Sequence, residues 1–143
     1  PSDWARLGVL KPDGSAVADH GLASVLLPGG AEGAAFLIFD NFEALENYNT
    51  ADAYVIGVGH LADRIGGAGP IGAAWPRHLR VLSYDGRVEL QQRLTAAGFD
   101  TVKIDAKMGP LTVNAIRRFQ QAKGLRPDGY PSLPLLERLR ALP

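Results

Sequence analysis

A chain of 143 residues has room for one ordinary domain or two small ones. Its 46% hydrophobic and 21% charged content is that of a water-soluble globular protein, no apolar run approaches the length of a bilayer span, and the lack of cysteine excludes disulfides and thiolate metal sites without fixing a compartment. Net charge is zero, yet residues 1–83 hold five Lys/Arg against nine Asp/Glu, a balance of −4, while residues 84–143 hold ten against six, a balance of +4. That asymmetry predicts two units with different surroundings, the basic one suited to an acidic polymer or simply carrying solubilising charge.

The chain opens directly on PSDWARLGV, with neither the basic start nor the apolar stretch of a signal peptide. A first residue other than Met is expected of a processed or truncated piece. Two apolar runs, 22–27 and 34–39, flank Pro28, Gly29, Gly30 and Gly33 and predict a β-hairpin with a long turn. Asp40 and Glu43 have capping-box spacing at the start of a short helix that turns Phe42 and Leu45 inward. A polar knot follows: Asn47, Tyr48, Asn49 and Thr50.

From 51 to 65 the apolar residues Tyr54, Val55, Val58, Leu61, Ala62 and Ile65 form one helical stripe that Gly66 and Gly67 end. Gly57 and Gly59 lie inside it, each costing roughly 1 kcal/mol of helix propensity, so close approach by another backbone is expected at this helix. Residues 66–76, rich in Gly, Ala and Pro, read as a linker, with Trp75 as its anchor.

Beyond the linker the texture becomes that of short amphipathic helices. Residues 87–97 turn Leu90, Leu94 and Ala97 inward and stop at Gly98. Residues 110–123 start on Pro110, carry the stripe Thr112, Ala115, Ile116, Phe119 and Ala122, and stop at Gly124. Ser132 caps a third helix with Leu133, Leu136, Leu139 and Leu142 inward. The second and third helices are each introduced by an Asp-led turn, DAKMGPLT at 105–112 and DGYPSLPL at 128–135, a weak internal repeat.

Residues 84–142 closely resemble the three-helix peptidoglycan-binding domain. The resemblance rests on Leu90-Gln91, Gly98-Phe99, Asp105, Gly109-Pro110, Thr112, Ala115-Ile116, Phe119-Gln120, Gly124-Leu125 and Asp128-Gly129. Ala106 departs from it, since Gly is usual after the Asp, and an altered first turn is expected there. Upstream, the hairpin, Asn41-Phe42 and the Tyr48-Asn49 pair before a long helix resemble the C-terminal part of the catalytic domain of B-type lytic murein transglycosylases.

Together the resemblances imply a mainly α chain with one small β-hairpin: residues 1–78 as the C-terminal portion of a lysozyme-like α+β domain, and residues 79–143 as a three-helix peptidoglycan-binding bundle. They imply a reaction as well, cleavage of the MurNAc–GlcNAc bond without water. One Glu protonates the leaving oxygen and then, as carboxylate, helps the muramyl 6-hydroxyl close a 1,6-anhydro ring. In that family the Glu stands in a Glu-Ser motif, and no Glu-Ser pair occurs here. The acid is therefore expected upstream of this chain, which would not turn over murein alone. Glu32 reads as a turn residue, Glu43 as a cap and Glu46 as a solvated face.

The resemblance further implies that Asn41, Phe42, Tyr48 and Asn49 line the glycan cleft. An aromatic face and an amide are what a neutral sugar and its acetamido group require. The alternative is that Asn49 or Thr50 only caps the helix and Tyr48 plugs a core. In the C-terminal unit Asp105, Arg117, Gln120 and Tyr130 are the implied wall contacts. The resemblance also implies the partners, glycan strands and stem peptides of peptidoglycan and a missing N-terminal half of the catalytic domain, and a location in the periplasm or cell envelope.

His20, His60 and His78 are too scattered for a metal site, His60 being expected on a solvated face. No glycine pattern matches a nucleotide fingerprint, so no cofactor is expected. Zero net charge argues against nucleic acid despite Arg117-Arg118. The competing readings are a purely binding wall protein without catalysis, and an intracellular helical interaction module.

Overall fold

The computed structural model describes residues 1–142. It divides into two units: Pro1–Pro28 with Gly33–Ala74, and Gly29–Glu32 with the chain from Trp75 onward.

In the first unit a short helix α1 (Ser2–Arg6) precedes a two-stranded antiparallel hairpin, β1 (Ser24–Leu26) and β2 (Phe36–Ile38), in the register Ser24 opposite Ile38 and Leu26 opposite Phe36. The Trp4 indole N–H donates to the Ala23 carbonyl at 2.8 Å and ties α1 to the start of the hairpin. Then come α2 (Asp40–Glu46) and α3 (Asp52–Ile65). The expected hairpin and both helices are present.

The expected capping box is not. Asp40 is the first helical residue rather than the cap, Phe39 stands at the cap with extended backbone, and no side chain bonds there. The close backbone approach expected at Gly57 and Gly59 is absent too, since a Cβ at either would meet nothing within 4 Å. Of the stripe on α3 only Val55 is buried, while Leu61 and Ile65 are 61% and 80% exposed. A helical stripe shows which face favours burial; here the far half of that face has no cover among the described residues.

In the second unit α4 (Tyr84–Ala96), α5 (Pro110–Ala122) and α6 (Leu133–Arg140) pack around Leu90, Leu94, Ile116, Phe119, Leu136 and Leu139. Each of these side chains contributes roughly 1.5–3 kcal/mol on burial. Phe99 meets Phe119 edge to face at 5.5 Å, a geometry favoured by the ring quadrupoles. Ala97 and Ala122, expected inward, are exposed, and Leu135, not expected, is buried.

The helix ends follow local chemistry. Ser83 accepts from the Gly86 N–H, and Ser132 from that of Leu135. Gly98 and Gly124 take positive φ, after which Phe99 N–H bonds Leu94 O and Leu125 N–H bonds Gln120 O, both at 2.8 Å. These six-to-one bonds satisfy carbonyls that the last turn leaves open.

Across the α4–α6 contact, Glu89 Oε1 accepts from Arg140 Nε at 2.9 Å and from Arg93 Nε at 2.7 Å. Hydrogen bonds from Arg140 and then Arg93 hold the Glu89 carboxyl down from its ordinary 4.5 to about 2. A depressed carboxyl stabilises the fold above its unfolded value and loses that effect as pH falls through the folded one. Glu89→Gln should therefore lower the melting temperature at pH 7, modestly because the pair is exposed. The gap to the parent chain should close between pH 4.5 and 2, and melting curves across that range check it.

Candidate functional site

Within the first unit, β2, α2 and α3 border a half-open, apolar-lined cavity of about 250 Å³. β2 presents Phe36, Leu37 and Ile38, Phe39 follows at the cap of α2, α2 adds Asn41, Phe42 and Leu45, and α3 supplies Val55, Ile56, Gly59, His60 and Asp63. Gly59 thus borders open space, which is how its missing side chain is accommodated. His60 is half-buried on this wall rather than on a solvated face. His20 packs edge-on against Phe39 at 5.4 Å, and His78 pairs with Glu32 at 3.2 Å. The three histidines go to three places, and no group of metal-ligating side chains forms among the described residues.

The four residues expected to line one cleft are divided. Asn41 and Phe42 border the cavity, whereas Tyr48 and Asn49 do not. Tyr48 is 83% exposed, its ring tilted against that of Tyr54 at 6.0 Å, so it plugs no core. Asn49 accepts the Ala51 N–H on Oδ1 at 3.0 Å, just ahead of α3, whose cap is Ala51 and not Asn49 or Thr50. That bond fixes the side chain and leaves its NH₂ edge to solvent.

The C-terminal residues are divided as well. Two turns, at 105–107 and 128–130, are built alike. In the first, Gln91 on α4 accepts on Oε1 from Asp105 N at 3.0 Å and Ala106 N at 2.8 Å. Its Nε2 donates to Asp105 Oδ1, Lys107 O and Thr112 Oγ1. In the second, Gln120 on α5 accepts from Gly129 N at 2.8 Å and donates to Asp128 Oδ1 at 2.7 Å. Asp Oδ1 accepts the N–H two residues on in both, from Lys107 and from Tyr130 at 2.9 Å. Ala106 takes φ 60° and Gly129 φ 74°, so the alanine departure keeps the turn rather than altering it.

Gln120 is 6% exposed and spends its amide on this turn. Arg117 lies along Gly129, and Tyr130 against Gly30. Asp105 alone of the four is exposed.

Residues 1–63 match the family described as transglycosylase SLT domain, and residues 83–139 the putative peptidoglycan binding domain. Two crystal structures of SltB3 from Pseudomonas aeruginosa are similar to the chain. The complex with NAG-anhNAM-pentapeptide is 42% identical, covering 97% of this chain with a TM-score of 0.91. The complex with NAG-NAM-pentapeptide is 44% identical over 96%, with a TM-score of 0.89. The two family matches place a segment similar to the transglycosylase SLT domain ahead of one similar to the peptidoglycan-binding domain. The chain spans 38% of the length of SltB3. No curated protein is significantly similar to it.

On α2, near the cavity elements, the Glu46 carboxyl is perturbed. Partial burial, then Asp52 and Glu43, raise it above its ordinary value. That direction suits a proton donor, but Glu46 does not border the cavity. Elsewhere Glu32 is paired with His78 and Glu89 with two arginines. In the peptidoglycan-binding domain the Lys107 N–H, then the Gln91 amide, then the charges of Lys107 and Lys103 hold the Asp105 carboxyl below its ordinary range.

The glutamine network was missed from sequence. Its signal was present in the pairs Leu90-Gln91 and Phe119-Gln120, polar residues set on otherwise apolar helix faces.

Proposed function

We propose that this chain is the glycan-contacting and wall-anchoring part of a lytic transglycosylase that cleaves the MurNAc–GlcNAc bond and leaves a 1,6-anhydro end. The observation that carries the reading is 42–44% identity to SltB3 over nearly the whole chain, in structures whose ligands are NAG-anhNAM-pentapeptide and NAG-NAM-pentapeptide. Tyr48 offers an aromatic face and Asn49 a free amide edge to the sugar, while Asn41 and Phe42 border the neighbouring cavity. None of the chain's five glutamates is followed by serine, and on this reading the acid–base carboxyl lies outside the chain. It belongs to a further part of the catalytic domain, which the apolar residues left exposed on α3, Leu61 and Ile65, are suited to receive. The +4 balance of residues 84–143 favours the free carboxylates of stem peptides at low salt. The place of action is the periplasm or cell envelope.

Retention on purified sacculi tests the anchor. The chain is expected to sediment with insoluble murein, and removal of residues 84–143 should release it; equal retention would sink the anchor role. Joined to a complementary catalytic part, Tyr48→Ala should weaken binding of muropeptide oligomers roughly three- to tenfold, the worth of one aromatic stacking contact. An unchanged affinity would remove Tyr48 from the cleft.

A further inference from the structure

The two Asp-led turns of the second unit share their inner bonds but differ at the outer carboxylate oxygen. At the second turn Asp128 Oδ2 accepts the backbone N–H of Ala31 at 3.0 Å. The residue before it, Gly30, is buried against the same turn. A Cβ built there would lie 2.9 Å from both Asp128 Oδ2 and Tyr130 Cβ. The second turn therefore holds a short stretch of peptide, Gly30-Ala31, by one amide N–H and by a fit that excludes side chains at the first position. Glu32, next in the chain, is met by His78 at 3.2 Å.

At the first turn Asp105 uses Oδ1 for the Lys107 N–H and the Gln91 amide, as Asp128 uses Oδ1 for Tyr130 and Gln120. Nothing among the described residues bonds Asp105 Oδ2. This carboxylate is exposed, with Ile104 50% and Leu111 55% exposed nearby in the chain. Lys103 and Lys107 stand close enough to act on its charge.

From the likeness of the two turns we propose that the 105–107 turn is a peptide-amide site: Asp105 Oδ2 accepts a backbone N–H from a short peptide of alanine- or glycine-sized residues, and Lys103 and Lys107 meet that peptide's carboxylates. The chain's own Gly30-Ala31 on Asp128 is the worked example of the contact. The inference rests on the murein-binding reading and deepens it: the bundle reads the stem peptide rather than the sugar. A glycan hydroxyl could also donate to a carboxylate, but two flanking ammonium groups have no partner on a glycan strand whose muramyl lactyl carboxyl is taken up in the amide to the stem.

Amide chemical-shift titrations of the full chain test it with three probes: tri-alanine with a free carboxylate, NAG-NAM-pentapeptide, and the uncharged disaccharide NAG-NAG. The first two should shift the Asp105, Ala106 and Lys107 amides, and the third should not. Asp105→Asn keeps an oxygen for the inner bonds but can present a donor outward, and it should weaken both peptide probes about tenfold or more. Shifts by the sugar alone, shifts centred on 128–130, or wild-type affinity in Asp105→Asn would each overturn the proposal. Should that variant unfold, the wild-type titration decides alone. If the chain sediments with sacculi while the peptides leave 105–107 unshifted, this inference fails and the murein-binding reading stands. If the chain does not sediment either, both fail.

Discussion

Replacing Gln91 with alanine is expected to unfold the C-terminal bundle or bring it close to unfolding. The side chain is 1% exposed and joins α4 to the first Asp turn and to Thr112 on α5. Its removal deprives the Asp105 and Ala106 N–H groups of their acceptor, and Lys107 O of one donor. A buried donor without a partner costs about 1–3 kcal/mol, and the vacated volume adds to that, so the total is about 3–5 kcal/mol. Domain stability runs at roughly 0.05–0.15 kcal/mol per residue, which in a unit this small makes the loss comparable to the whole. Amide hydrogen exchange on the full chain reads it out: protection in α4, α5 and α6 should collapse together. Gln92→Ala, one residue on but exposed, should leave protection unchanged. A loss below about 1 kcal/mol at Gln91 would show that the network is peripheral.

Why this residue escaped a reading of the chain is instructive. The features legible in sequence were those whose cause is local. Glycine just past the last turn, Ser83 or Ser132 just before the first, and Pro110 inside the first turn act through bonds a few residues long, and the helices end where those residues stand. The hairpin was legible for the same reason, from a Gly-rich stretch between two apolar runs. Gln91 and Asp105 are 14 residues apart, and their pairing exists only once α4 and the turn have packed. Periodicity failed in another way at α3. Leu61 and Ile65 fall on the stripe, but a stripe does not say where its cover comes from, and Gly57 and Gly59 proved to border space rather than backbone. In the candidate site, residue types were legible and grouping was not: Asn41 and Phe42 border a cavity that Tyr48 and Asn49 do not touch.

The paired turns also yield a prediction whose sign depends on direction. At Gly129 the backbone is left-handed at φ 74°, and an added Cβ would lie 2.7 Å from Val113 Cγ1, 3.1 Å from Arg117 Nε and 3.2 Å from Arg117 Cγ. Left-handed backbone costs a residue with a Cβ about 1–2 kcal/mol, and overpacking typically adds 1–3 kcal/mol. Gly129→Ala should thus destabilise by about 3 kcal/mol, because Val113 lies on α5 and yields only if the helix shifts. At the equivalent position Ala106 already bears a methyl group at φ 60° and is 4% exposed. Ala106→Gly would relieve the backbone, but it gives up a buried methyl worth about 0.8 kcal/mol and adds unfolded-chain entropy of roughly 0.5–1 kcal/mol. These terms nearly cancel, so stability should stay within about 1 kcal/mol of the parent. Urea titrations of both variants in the full chain check the asymmetry. If Gly129→Ala proved as mild as Ala106→Gly, the space beside α5 would not be what restricts the second turn to glycine, and the two turns would differ only in sequence.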